Sequence, residues 1–333
     1  MTDSSKGNTS YMAFGFLFTL IAVVALIALI LTNSSADNVS STGTIGNASP
    51  TITNLTISTS TYGTAASPVA LTAGTTTTVY VNGTGNDNNG CGQIDKATGT
   101  GASLGDADSK WEGVLYRTSI GSQTCTPSNT NCYTITTADA DLASGSNLCT
   151  DASGGSDLST QFEFDVPLQF FADATDTGSS PDLASTNWTA WVKVTDDWGG
   201  TGTASTTTDV STTNGLTMVT GSITYPSTAL GAESSEQTVT LTNTGNNNTF
   251  DPYVSMSADW SCTIGSIVKG NTKWSVLTEG AQTSLTTSPA AINLDIAKST
   301  GTGSNGSFYT KLTIPSTGVG GSCTSTLVVG AST

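Results

Sequence analysis

The chain has 333 residues, enough for about two or three domains. Its 9 Lys and Arg stand against 25 Asp and Glu, a formal net charge of −16, which argues against a nucleic-acid partner because phosphate recognition needs clustered positive charge. Histidine is absent, so Ser-His-Asp and Cys-His catalysis, His-ligated zinc or haem, and histidine pH switching are excluded. With 64 Thr, 44 Ser and 36 Gly, the composition favours strands and turns over long helices.

Residues 1–10 form a short polar leader, and residues 11–32 a hydrophobic segment. Within the latter, Met12 to Leu31 is 20 residues without a charge, about 30 Å as a helix, the thickness of a hydrocarbon core. Its apolar side chains are Met12, Phe14, Phe16, Leu17, Phe18, Leu20, Ile21, Val23, Val24, Leu26, Ile27, Leu29, Ile30 and Leu31. Lys6 precedes it and the next basic residue is Lys96. The positive-inside rule therefore predicts a cytoplasmic N-terminus and an extracellular remainder. A helix apolar all round must be buried, in lipid or among copies of itself. Two readings from charge and length alone are a permanent signal-anchor and a secretory signal cut after Ser34 and Ala36.

A third reading rests on resemblance. A leader ending Lys6-Gly7, an uninterrupted apolar helix, and a Thr-rich ectodomain together resemble an archaeal type IV pilin. The resemblance covers about the first 35 residues. It implies processing between Gly7 and Asn8 by a prepilin peptidase, a membrane-inserted precursor, and self-association into a helical homopolymer with the apolar helices in its core. Met12 stands where a bacterial-type pilin would carry Glu, and Asn33-Ser34-Ser35 follows where that type would continue its helix. Both departures favour the archaeal type.

Residues 33–49 read as a Ser/Thr-rich linker. Beyond Pro50 short alternating runs begin: Thr51–Ile57, Thr76–Val81, Trp111–Arg117, Phe162–Ala172 and Trp188–Val194. Thr201 to Asn214 reads as a Thr/Ser/Gly-rich joint. A second set follows at Leu216–Tyr225, Gln237–Asn243, Tyr253–Met256, Ala291–Ile296, Phe308–Ile314 and Leu327–Val329. Short strands at regular spacing predict a mainly β fold. The expected architecture is a single N-terminal hydrophobic α-helix followed by two immunoglobulin-like β-sandwich domains, residues 50–212 and 215–333.

The six cysteines fall four and two between these halves, a pattern of extracellular disulfides. Cys262–Cys323 is the intradomain choice in the second half. The first half allows three connectivities, and the small loop CTPSNTNC favours Cys125–Cys132 with Cys91–Cys149. Sequons at Asn33, Asn38, Asn47, Asn54, Asn82, Asn187, Asn247 and Asn305 offer glycosylation sites, in number about what chance gives at this Ser/Thr content. Asp and Asn cluster at Asn86–Asn89, Asp106/Asp108, Asp173/Asp176 and Asp196-Asp197. Such oxygens can bind calcium, and they are equally ordinary turn residues. No EF-hand spacing, metal-ligating CxxC, nucleophile elbow or phosphate loop is present, so neither a cofactor nor an enzymatic role is expected. Most tryptophans fall on strands and read as core, while Trp198, between Asp197 and Gly199, reads as exposed.

The expected protein is an extracellular structural subunit of a type IV pilin-like filament, its β-domains outermost, used for adhesion to glycans or other cells. The alternative is a membrane-anchored, S-layer-like surface protein that forms no filament. An anchored hydrolase, a third reading, requires a deep cleft with converging carboxylates.

Overall fold

The computed structural model describes residues 19–25, 42–94, 111–120, 126–128, 130–135, 141–142, 157–178, 181–301 and 304–331. Residues 19–25 are helical. The chain separates after Gly46, and residues 47–333 form one compact unit. Among the described residues of that unit, every named strand pairs antiparallel with its neighbours.

The first half supplies two four-stranded sheets. Its strands are β1 (Thr51–Ser58), β2 (Thr77–Asn86), β3 (Trp111–Arg117), β4 (Cys132–Ile135), β5 (Asp141–Leu142), β6 (Ser159–Leu168), β7 (Trp188–Thr195) and β8 (Thr201–Thr208). One sheet has the order β1-β2-β6-β5 and the other β4-β3-β7-β8. The strands of each sheet alternate, so one face of each is apolar. Val79 and Val81 of β2 and Phe162 and Phe164 of β6 meet Trp111, Leu115, Trp188 and Val192 of the other sheet in one buried core. The two sheets therefore form a sandwich.

Aromatic rings fill this core, with Trp111 and Phe162 4.4 Å apart. The backbone of β2 makes way for them. A β-carbon on Gly85 would lie 2.7 Å from the Trp111 ring, and one on Gly83 3.0 Å from Phe162. The indole N–H groups of Trp111 and Trp188 donate to the carbonyls of Ile94 and Asp173 at 2.9 and 2.8 Å, so burying each indole leaves no polar group unpaired.

The second half contributes β9 (Leu216–Met218), β10 (Gln237–Asn243), β11 (Pro252–Met256), β12 (Trp260–Ile264), β13 (Ser266–Ile267), β14 (Thr272–Ser275), β15 (Thr283–Ser284), β16 (Ala290–Ala291), β17 (Ser304–Leu312), β18 (Gly320–Thr324) and β19 (Leu327–Ala331). A sheet of order β15-β14-β17-β10-β9 faces a three-stranded sheet, β16-β11-β19. Val239, Leu241 and Phe308 from the first pack with Val254 and Met256 from the second around Phe250, Ile292 and Ile296. The β11–β19 ladder continues beyond a bend into β12–β18, where Cys262 and Cys323 lie opposite one another and form a disulfide.

Three expectations are corrected. The stretch read as a joint from Thr201 contains β8, paired along its whole length with β7. A run of threonines lacks an apolar stripe but keeps a high strand propensity, which pairing with a neighbour realises. Leu216–Tyr225 is a strand only to Met218, because the amides of Val219 and Thr220 both turn to the Thr240 carbonyl. Ala291–Ile296 is interrupted: the strand ends at Ala291, and pairing returns only as a single antiparallel bridge between Ile296 and Phe250. In between, Asp251 accepts the amides of Leu294 and Asp295 at 2.8 Å each, and Asp295 has a φ of 45°.

The two cores are joined by a polar seam. Asn246 donates to the carbonyls of Ala172 and Ser211 and accepts from the Thr213 amide. Asp173, almost buried, pairs with Arg117 from the first half at 2.5 Å and with Lys298 from the second. Lys298 also donates to the Phe171 carbonyl. One anion thus neutralises cations from both halves. Replacing it strands two poorly solvated positive charges, which costs on the order of 3–5 kcal/mol. Asp173→Asn should lower unfolding stability by about that amount in chemical denaturation, and Asp259→Asn, at an exposed ion pair, by far less, because solvent screens it.

Candidate functional site

Three regions carry surface chemistry. The first is the helical stretch 19–25, where Leu20, Ile21, Val23 and Val24 are 52–58% exposed. Four large apolar side chains presented to solvent on two helical turns are an unsatisfied hydrophobic surface. Among the described residues, no helix is long and apolar enough to cross a membrane. Met12, Phe14, Phe16, Leu17, Phe18, Leu26, Ile27, Leu29, Ile30 and Leu31, and the processing residues Lys6, Gly7 and Asn8, lie outside the described residues.

The second region lies where β2 ends and the β7–β8 turn begins. Two Asp/Asn clusters far apart in sequence meet there. Asp196 closes its turn by accepting the amides of Trp198 and Gly200 at 2.9 and 2.8 Å, and its other oxygen accepts from Asn47 Nδ2 at 2.9 Å. A β-carbon on Gly200 would sit 2.4 Å from that carboxylate oxygen, so the turn requires glycine. Asn89 Oδ1 accepts the Ala48 amide at 2.6 Å. Together these bonds clamp the chain where it enters β1. The Asp197 amide donates to the Gln93 carbonyl, which sets the short 3₁₀ turn Cys91–Gln93 against the β7–β8 turn.

Asp87 is the buried member, 1% exposed. Its Oδ1 accepts the Asn89 amide at 2.7 Å, but Oδ2 has no hydrogen-bond partner, and neither does the buried Oε1 of Gln93. Burial raises the Asp87 pKa, the negative charges of Asp196 and Asp197 raise it further, and the Asn89 amide partly offsets them. Trp198, 57% exposed, projects from the same turn. The other expected clusters behave differently. Asp173 belongs to the seam, Asp176 bonds the amide and hydroxyl of Thr212, and Asp106 and Asp108 lie outside the described residues. Among the described residues, no three His, Cys, Asp or Glu side chains are grouped to hold a metal ion.

The third region is a cleft of about 660 Å³ in the second half, between β18–β19 and the chain after β9. Met218, Ile223, Tyr225, Trp260, Leu327 and Val329 line it. The Tyr225 hydroxyl donates to Thr310 and the Trp260 indole to Thr272, each at 2.8 Å, so both rings turn apolar surface to the cleft. Burial raises the Tyr225 pKa, and its bond to Thr310 partly offsets this. Among the described residues, no carboxylate lines the cleft.

Of the cysteines, Cys262 and Cys323 are paired. Cys91 and Cys132 are also disulfide-bonded, and Cys125 and Cys149 lie outside the described residues. Among the sequons, Asn47, Asn54 and Asn305 are exposed, and Asn187 and Asn247 are half-buried. Asn82 is buried, its amide donating to Ser58 and its carbonyl accepting from Thr56, which leaves no room for a glycan. Asn33 and Asn38 lie outside the described residues. Sequence reasoning named both acidic clusters but not their meeting. It missed Gln93, which carries no motif.

The chain matches no protein-family profile and no curated protein. Solved structures resemble it distantly. One is from the CsuC–CsuE chaperone–tip adhesion subunit pre-assembly complex of the archaic chaperone-usher Csu pili of Acinetobacter baumannii. It is 9% identical, with 84% of this chain and 92% of that one covered, at a TM-score of 0.29. The CupB6 tip adhesin from Pseudomonas aeruginosa is 11% identical over 84% and 94%, at 0.24. Dimeric latent PorU from Porphyromonas gingivalis is 12% identical over 85% and 20%, at 0.26. Likeness this loose establishes no shared fold and no shared role.

A raised carboxyl pKa in the folded state makes stability fall as pH climbs from the ordinary aspartate value of about 3.9 through the folded value. Asp87→Asn carries no such charge. With a chelator present, Asp87→Asn should be more stable than the parent at pH 7, and the advantage should shrink at pH 4. Denaturant midpoints at the two pH values measure this.

Proposed function

We propose that this chain is a structural subunit of an extracellular type IV pilin-like filament. Its N-terminal apolar helices pack in the filament core, and its two β-sandwiches, immunoglobulin-like in plan, form the outer wall. The observation that carries the reading is the exposure of Leu20, Ile21, Val23 and Val24 on the helical stretch 19–25. Apolar area of this kind gains roughly 25 cal/mol per Å² when removed from water, and neighbouring copies offer such a surface. Contacts of this type, repeated head to tail without closing, generate a helical polymer. The Cys262–Cys323 disulfide supports an oxidising, extracellular location. Ser/Thr-rich strands with few charges suit an exposed wall, and Trp198 offers an aromatic platform for a sugar ring.

In this reading the precursor inserts in the membrane with Lys6 inside, and a peptidase cuts between Gly7 and Asn8. The second reading keeps the exposed helix and gives it to lipid alone, as the anchor of a surface protein. The two differ in what one charge does. In a filament, Val24→Asp places a carboxylate in a water-free core and should abolish filaments in electron micrographs, while circular dichroism of the β-domains stays unchanged. Native material that yields only single detergent-soluble subunits, for parent and variant alike, contradicts the filament and supports the anchor.

A further inference from the structure

Two acceptor oxygens lie stranded in the same loop: Asp87 Oδ2 and Gln93 Oε1, both buried and both without a hydrogen-bond partner. Neither atom can donate while Asp87 is ionised. A buried acceptor without a donor is costly, and a buried carboxylate oxygen more so. The charges around Asp87 make it worse. Asp196 and Asp197 both bear on it as negative neighbours, and neither Asp87 nor Asp196 has an ion-pair partner among the described residues. The protein holds this arrangement firmly all the same. The Asp197 amide is fixed to Gln93, the Asp87 amide to the Leu158 carbonyl, and the Cys91 amide to the Asp157 carbonyl.

We infer that the folded protein binds a divalent cation at this loop cluster, with Asp87 Oδ2 as its anionic ligand and Gln93 Oε1 as a neutral one. Asp196 and Asp197 add negative potential beside the site. The donor set identifies the ion. All the available ligands are oxygens, the chain has no histidine, and Cys91 is held in a disulfide. Calcium accepts carboxylate, amide, backbone and water oxygens in irregular geometry, whereas magnesium demands a near-ideal octahedron. Because no three acidic side chains group together here, the ion keeps water in its shell. The affinity expected is that of a weak extracellular site, with a Kd of about 10⁻⁴–10⁻³ M.

The position gives the ion a purpose. Asp196 and Asn89 hold Asn47 and Ala48, the residues through which the chain enters β1. Calcium bound at Asp87 offsets its repulsion with Asp196 and Asp197 and so stiffens that entry. This inference does not depend on the filament reading.

The test compares thermal unfolding of the full chain in detergent, in chelator and in calcium at about 10 mM, ten times the upper end of that range. Sodium chloride at matched ionic strength is the control. The parent should gain several degrees with calcium and less with magnesium. Asp87→Asn should fold, exceed the parent in chelator, and gain nothing from calcium. Gln93→Leu should need roughly tenfold more calcium for half its shift, in line with the loss of one ligand. A parent that responds to calcium no more than to sodium chloride overturns the site, and a proton on Asp87 then accounts for the stranded oxygens. An Asp87→Asn variant that gains as much as the parent also overturns it, by placing the ion elsewhere.

Discussion

Backbone pairing between β2 and β6 runs unbroken from Thr77 opposite Leu168 to Asn86 opposite Ser159, and this register fixes which side chains reach the interior. Shifting it by one residue would turn Val79, Val81, Phe162 and Phe164 outward and bring Tyr80, Asn82, Glu163 and Asp165 in. The rest of the first half follows from that constraint. Gly83 and Gly85 fall on the inward face, where their missing side chains admit the rings of Phe162 and Trp111. The same ladder carries the chain to Asp87, so the register that fills the core also buries an unpaired carboxylate at the end of the strand.

The polar seam gives the compact unit its second organising contact. Each half has its own apolar core, and between them lie Asp173, Asn246 and their partners. Nonpolar packing would serve as well for stability, since a buried ion pair repays its desolvation only with good geometry. What the seam supplies is directional bonding between the halves. The helical stretch 19–25 differs from both cores: its apolar side chains remain in solvent within this chain. An apolar surface that a folded chain leaves open is where a partner or a membrane acts.

Much of this was legible in the sequence where hydrophobic alternation was strong. Trp111–Arg117 and Gln237–Asn243 are strands with the expected limits, and β1 and β7 differ by one residue. Reading failed where the signal is not apolar. β8 is nearly all Thr, Gly and Ser, and its pairing comes from β7 rather than from a pattern of its own. After Ala291 the chain is turned by the Asp251 carboxylate, which accepts the amides of Leu294 and Asp295, and no local pattern announces this. The acidic clusters at Asn86–Asn89 and Asp196-Asp197 were visible one at a time. Their meeting depends on a register and on the turn at Gln93, and both are tertiary facts. Asn82 carries a sequon like its neighbours, yet it is buried on the face of β2 opposite the core, where Thr56 and Ser58 of β1 hold its side chain.

The central claim is that the exposed apolar helix is the assembly surface. Electron cryo-microscopy of native cell-surface material, with N-terminal sequencing of the same sample, tests it most directly. The account predicts filaments in which residues 19–25 of neighbouring subunits touch one another at the axis, with subunits beginning at Asn8. Filaments held together by the β-domains alone, with residues 19–25 in solvent, would contradict it.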